Sequence, residues 1–357
     1  MRRLLGLLLV AALATGAALL LLGAVGASSA TRAKPNTLVT ENGRILALAQ
    51  DAGAIAWIGH DYQVHVRRLS ARRGSIVGSA ASEYNARRWP LALAGTQALW
   101  TSYSAGNFVY TSVHTGSPTM LDHVVYNSSY MPGPPDGSWI EGFTGDGSTL
   151  VLGDVLQRCD VEWDCRRIDV EGGVQRVTAK AVRIAGLPAP FLLAASNGRI
   201  ALVPAKTPRF VPDIGPPRAA EYAPVQVYDL GGHLLSSVVP DGTPRSIALA
   251  WPKLAVLFEF VDGRRQIQLY DARNGAFWAS GGGAVVARVP VTVNRVSVSE
   301  SGAVYSVGKA IYLLRRQTPR LVARAAGTPI GLSIEGRRIA WAENVHGKGR
   351  IRSLTAP

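Results

Sequence analysis

The chain has 357 residues, 47 % hydrophobic and only 17 % charged, with 38 glycines and 21 prolines, a balance that suits a β-rich globule with many turns. Lys and Arg total 38 against 24 Asp and Glu, for a formal charge of +14. With 2 cysteines there is no second pair for a metal site, and neither lies near the N-terminus, which excludes a bacterial lipoprotein.

Residues Met1–Ala30 read as an export signal. Arg2-Arg3 lead an uncharged apolar run, Leu4–Val25, and small residues follow as Val25-Gly26-Ala27 or Ser28-Ser29-Ala30. The run is about 22 residues long, enough to span a bilayer, so an uncleaved anchor is the alternative. No second run of spanning length follows. Removing this segment takes two arginines and no acids, leaving about +12 on residues 31–357, which read as a single domain.

From Asn42 onward a hairpin rhythm repeats. A turn leads into a short apolar strand at Ala54–Trp57, Gln97–Trp100, Thr149–Leu152, Arg199–Leu202, Leu254–Leu257, Ala303–Tyr305 and Arg338–Trp341. Gly, Asn and Asp before most of them supply the positive-φ positions of tight hairpins. A second strand alternates in each unit: Gln63–Val66, Phe108–Thr111, Arg167–Val170, Val225–Asp229, Ile267–Asp271, Ile311–Leu314 and Arg350–Leu354. Turns are then expected at Gly74, Gly116, Gly172-Gly173, Gly231-Gly232, Gly275 and Thr318-Pro319, at a spacing of roughly 40–60 residues that fits four-stranded propeller blades. This predicts an all-β fold, a seven-bladed β-propeller. The last unit runs out after three strands, and Asn36–Glu41 is expected to supply the fourth, closing the ring. A β-helix and a pair of sandwiches are the alternatives, and the blade-length repeat disfavours both.

The pattern of Asp51–Trp57, Asn197–Leu202 and Glu335–Trp341, followed by Val225–Gly231 and Ile267–Gly275, resembles the TolB-type and WD40-like secreted or periplasmic propellers. The resemblance covers nearly all of residues 31–357. It implies a fold, and a family of envelope scaffolds, peptide-binding modules and non-catalytic caps. It carries over no site residue.

Cys159 and Cys165 bracket the loop between the second and third strands of unit three, and export favours a disulfide between them. Three insertions break the rhythm: Asn127–Ser138, the cysteine loop, and Lys206–Pro224. In a propeller all three connection types emerge on one face, and elaborated loops on a rigid scaffold often carry function. The candidate binding rim is therefore Tyr130, Arg158, Asp160, Trp163, Asp164, Arg209, Phe210 and Tyr222, aromatic groups beside charges. Trp57, Trp100 and Trp341 recur with the repeat, which points to packing between blades rather than sugar stacking. His60 and His65 flank Asp61 without a third local ligand, no Gly-x-Ser-x-Gly elbow occurs, and no spacing selects a carboxylate pair. Asn127-Ser128-Ser129 matches a glycosylation sequon, read as chance. Arginine pairs occur in almost every unit, such as Arg67-Arg68, Arg264-Arg265 and Arg337-Arg338, and read as decoration of the repeat rather than one patch.

The expected function is an exported envelope or extracellular propeller acting as a non-catalytic binding or scaffold module. The alternatives are a polysaccharide-acting hydrolase or lyase, and a sensor ectodomain on an uncleaved anchor. No catalytic residue, metal site or cofactor is assigned. The expected partner is an envelope protein or an anionic cell-wall polymer. Nucleic acid is not expected, nor is membrane contact beyond an uncleaved N-terminal segment. The chain is expected to be a monomer.

Overall fold

The hairpin rhythm becomes strands throughout a computed structural model. The structure describes residues 34–357 apart from 82–88, 106–107, 131–136, 160–167, 206–222 and 281–282. Residues 1–30, read above as an export signal, lie outside the described residues. Among the described residues there is no helix, and hence none long and apolar enough to cross a membrane.

The first strand, β1 (Asn36–Glu41), belongs to the last blade. Blade 1 is β2 (Ile45–Asp51), β3 (Ala54–Gly59), β4 (Gln63–Arg68) and β5 (Ser75–Ser79). Blade 2 is β6 (Leu91–Ala94), β7 (Gln97–Ala105), β8 (Val109–Ser117) and β9 (Met120–Tyr130). Blade 3 is β10 (Gly137–Asp146), β11 (Thr149–Cys159), β12 (Ile168–Val177) and β13 (Ala181–Arg183). Blade 4 is β14 (Pro190–Ser196), β15 (Arg199–Pro204), β16 (Val225–Asp229) and β17 (Leu234–Val238). Blade 5 is β18 (Thr243–Ala250), β19 (Lys253–Glu259), β20 (Arg265–Asp271) and β21 (Val286–Val289). Blade 6 is β22 (Ser297–Ser299), β23 (Gly302–Val307), β24 (Ala310–Leu314) and β25 (Arg320–Arg324). Blade 7 is β26 (Ile330–Glu335), β27 (Arg338–Val345), β28 (Lys348–Thr355) and β1.

The closing strand forms where the sequence placed it. It runs antiparallel to β28, from Asn36 opposite Ser353 to Glu41 opposite Gly349. The inner strands pack in sequence around the ring, and β26 returns to β2. The second strand of each blade is covered on both sides. That is why β3, Ala-Ile-Ala-Trp-Ile-Gly, is buried along its whole length, while β4 alternates.

Three expected boundaries shift. Gly172-Gly173 is not a turn but the middle of β12. Gly172 has φ of 117°, and a Cβ there would lie 2.2 Å from the Asp154 carbonyl oxygen, so a close strand approach needs this glycine. Gly116 likewise lies inside β8. The insertion read as Asn127–Ser138 is shorter, because Asn127–Tyr130 completes β9 and Gly137-Ser138 opens β10.

Strand direction alternates, so the propeller has two distinct faces. First-to-second and third-to-fourth turns share one, here the turn face; the remaining connections share the other, the loop face. On the turn face, polar side chains at the first turn of most blades, chiefly at the ends of inner strands, lace them to their neighbours. Asp51 Oδ2 accepts from the Gly95 and Gly147 amides at 2.6 and 2.7 Å, so it ties blade 1 to blades 2 and 3. Ala94, at the equivalent position of blade 2, has no group to offer. Asp146 accepts from Asn197 N at 2.6 Å, and Ser196 from Trp251 N at 3.1 Å. Lys253 donates to the Glu300 carbonyl and Ser299 to the Gly336 carbonyl, both at 2.7 Å. Glu335 closes the circuit by accepting from Gly53 N at 3.1 Å.

The closing seam is tight. Gly331 has φ of 59°, and a Cβ there would sit 2.3 Å from the Leu48 carbonyl oxygen. Gly331→Ala should cost about 2 kcal/mol through backbone strain and displacement of β2. Chemical denaturation measures this, and an unchanged midpoint would contradict the packing of β26 on β2.

Candidate functional site

The loop face is uneven because blades differ in height. Beyond the Trp57–His65 pair, β3 and β4 continue for a single residue pair, Ile58 with Val64. Beyond the equivalent Trp100–His114 pair, β7 and β8 continue to Ala105 opposite Val109. At about 3.3 Å per residue, blade 2 stands roughly 13 Å taller than blade 1. Blade 3 follows it, with β10 and β11 paired from Asp146–Thr149 up to Gly137–Gln157. At the top, Tyr130 of β9 pairs with Gly137 of β10, which joins blades 2 and 3 into one eight-stranded sheet.

Two of the insertions connect strands of this raised sector, and the third connects strands of blade 4. Tyr130 ends β9, Arg158 and Cys159 end β11 opposite Asp169 and Ile168, and residues 206–222 join β15 to β16. All of these strand ends lie on the loop face, on consecutive blades 2, 3 and 4. Asp160, Trp163, Asp164, Cys165, Arg209, Phe210 and Tyr222 lie outside the described residues, as do the side chains of Tyr130, Arg158 and Cys159.

The same face continues over blade 5 with groups that the sequence reading missed. Val239, Val261 and Val291 are 82 %, 90 % and 60 % exposed at the tips of three neighbouring connections. Those connections touch. A Cβ on Gly242 would meet the Phe260 ring at 3.5 Å, and Arg265 Nη1 donates to the Val293 carbonyl at 2.7 Å. Between the tips, Glu259 accepts from Arg245 at 2.7 Å and is paired with Arg265. The bond from Arg245, with help from Arg265, holds the Glu259 carboxyl below its usual range. The surface is thus apolar at its points, with one carboxylate held by two guanidiniums between them.

Many of the paired arginines are engaged locally. Arg67 donates to the Leu38 and Ala71 carbonyls, Arg264 pairs with Asp262, Arg337 reaches the Ala356 carbonyl, and Arg338 pairs with Glu335. Trp57, Trp100 and Trp341 are buried, with indole N–H groups donating to Glu41, the Ser79 carbonyl and Glu343 at 2.9, 3.0 and 3.2 Å. They pack between blades and offer no sugar platform.

One polar array stands apart on blade 2. His114 Nδ1 lies 2.9 Å from Asp122 Oδ1, and His114 Nε2 lies 2.7 Å from Ser102 Oγ. The imidazole stacks on Trp100 at 5.7 Å and 13°. The three residues sit on β7, β8 and β9, and only strand register could have brought them together. Among the described residues no group of three His, Cys, Asp or Glu side chains could hold a metal ion. A hollow of about 630 Å³ lies on the turn face by Gly53 and Gly95, and one of about 440 Å³ at the closing seam by β1, Trp57 and Arg72. Neither gathers groups in catalytic geometry.

No protein-family model matches the chain, and no curated protein matches its sequence. Solved structures share its general shape at low identity. The computationally designed Ika8 protein gives a TM-score of 0.44 at 10 % identity, covering 89 % of this chain and 98 % of its own. Sqt1 of Saccharomyces cerevisiae also gives 0.44 at 10 %, covering 90 % and 100 %. YCF48 bound to D1 peptide gives 0.47 at 9 %, covering 92 % and 96 %. The strand topology decides the fold. It is a seven-bladed β-propeller. In this propeller the loop face of blades 2 to 5 gathers the tallest strands, the insertions and the exposed valines.

Proposed function

We propose that this propeller is an exported, TolB-type binding or scaffold module of the cell envelope or extracellular space, and that it captures a protein partner through the loop face of blades 2 to 5. The carrying observation is the placement of Val239, Val261 and Val291 on the same face as the three insertions. Turn tips normally take polar residues, and bare β-branched side chains there do nothing for the fold. Apolar tips around guanidiniums already paired with Glu259 favour a protein over an anionic polymer. Arg2-Arg3 and the Leu4–Val25 run support export. β1 begins on the turn face, opposite the proposed binding surface.

A pull-down from envelope extract with residues 31–357 tests the reading. Val261→Asp, Trp163→Ala and Phe210→Ala should each weaken capture at least tenfold, and Val261→Asp, at an exposed tip, should leave the melting temperature within about 2 °C. Capture that survives all three changes would remove the loop face from the account. The Cys159–Cys165 bridge belongs to the same reading. The exported protein should show no alkylatable thiol before reduction and two after it, and two free thiols in the native protein would exclude the bridge.

A further inference from the structure

The Ser102–His114–Asp122 array asks for an explanation beyond packing. Blade 1 shows what packing alone requires. There Trp57 stacks on His65 at 4.8 Å and 4°, as Trp100 stacks on His114. Two residues after Trp57, however, stands Gly59, where blade 2 has Ser102. A Cβ on Gly59 would come 2.7 Å from Asp61 Oδ1 and 3.8 Å from His65 Nε2, so a serine there would require the Asp61 side chain to move, and blade 1 does without it. No carboxylate partners His65 among the described residues either. The stack is a device of the repeat; the hydroxyl and the carboxylate belong to blade 2.

The geometry fixes the chemistry of the ring. An ionised Asp122 only accepts, so in the neutral imidazole Nδ1 donates to it and Nε2 carries its lone pair toward Ser102 Oγ. The stack on Trp100 holds the imidazole plane. Gly78 makes room, since a Cβ there would lie 2.8 Å from Asp122 Oδ2 and 2.2 Å from the Trp100 ring. Access follows from blade height. Ser102 is only half-buried, and above it Ser104, Tyr110 and Asn127 on the same side of the sheet are exposed, beyond the last paired residues of β3 and β4.

We propose that Ser102 is an activated nucleophile that takes an acyl group from an ester of a polar, uncharged alcohol. His114 Nε2 removes the Ser102 proton as Oγ bonds to the ester carbonyl carbon. The bond from that carbon to the alcohol oxygen breaks, and the proton passes from His114 to the departing alkoxide. Water then attacks the acyl-Ser102 carbon and gives a proton to His114. The acid leaves and the proton returns to Ser102 Oγ. Asp122 orients the imidazole and offsets the charge it gains, in the role of the third member of a triad. The alcohol portion is assigned from the wall above Ser102, where Tyr110, Ser112 and Asn127 offer hydroxyl and amide groups without a charge. This activity is independent of partner capture on the loop-face tips.

The test is labelling of the 31–357 chain with a fluorophosphonate bearing a fluorophore, followed by mass-spectrometric mapping of the adduct. The adduct should form at Ser102, vanish in Ser102→Ala, and form at least tenfold more slowly in Asp122→Asn. That last change keeps the side-chain shape and tests the relay even if Ser102→Ala disturbs the blade. Parallel initial rates on 4-nitrophenyl acetate should fall in the same order. An unlabelled Ser102 in the native protein, or equal labelling of the wild type and Asp122→Asn, would overturn the proposal and leave the array as a tie between strands.

Discussion

A chain beginning at Gly43 should lose on the order of 5 kcal/mol of stability and melt about 7 °C lower than one beginning at residue 31. The expectation follows from how much β1 joins. Its ladder with β28 completes blade 7, and without it β28 becomes an open edge. Glu41 accepts the Trp57 indole N–H at 2.9 Å, and Arg67 donates to the Leu38 carbonyl at 2.6 Å, so the strand also ties blade 7 to blade 1. Leu38 and Val39 pack against the core formed by Ile45, Trp57 and Ile351. A synthetic peptide of residues 34–42 should restore part of the loss. Calorimetry measures both effects, and an unchanged melting temperature would show that the ring does not depend on the strand.

The second large effect centres on Asp51. Burial pushes its carboxyl up to about 6, with Asp146 and Glu335 adding to the rise, against the pull of the Gly95 and Gly147 amides. A carboxyl raised in the fold binds its proton more tightly there than in the unfolded chain. Its contribution is therefore fully present below about pH 4 and is lost as pH rises through about 6. The size of that loss is roughly 2–3 kcal/mol. Asp51→Asn keeps an oxygen for both amides without the charge, so it should flatten this slope and raise stability at pH 7.5. Asp51→Ala removes the acceptor as well and should fall about 2–4 kcal/mol below the Asn variant, because two amides lose their partner. Denaturation midpoints at pH 4.5 and 7.5 separate the two effects. Equal stability of the Asn and Ala variants would mean that the tie between blades 1, 2 and 3 is idle.

The sequence revealed the ring through its most regular hairpins and much less of the raised sector. Asn36–Glu41 was legible because the last unit lacked a strand and this was the stretch available to fill it. The turn-face lacing was also present in principle. Asp51, Asp146, Ser196, Ser299 and Glu335 all end inner strands just before a turn. The tall strands were not legible. Thr101–Ala105 and Asn127–Tyr130 are rich in Ser, Thr, Asn and Tyr and carry no apolar alternation, so they read as loop. What makes them strands is their register with one another. The Ser102–His114–Asp122 array was hidden for the same reason, since pairing across three strands cannot be read along one of them. Val239, Val261 and Val291 escaped notice because an isolated apolar residue has no significance until its exposure and neighbours are known.

Site-specific photocrosslinking in envelope extract tests the central claim most directly. A benzophenone side chain would replace Val239 or Val261 on the loop face, and Ala52 or Arg273 on the turn face. The account predicts one crosslinked partner of the same mass from both loop-face positions and none from the turn face. Crosslinks from the turn face alone, or equally from both faces, would contradict it.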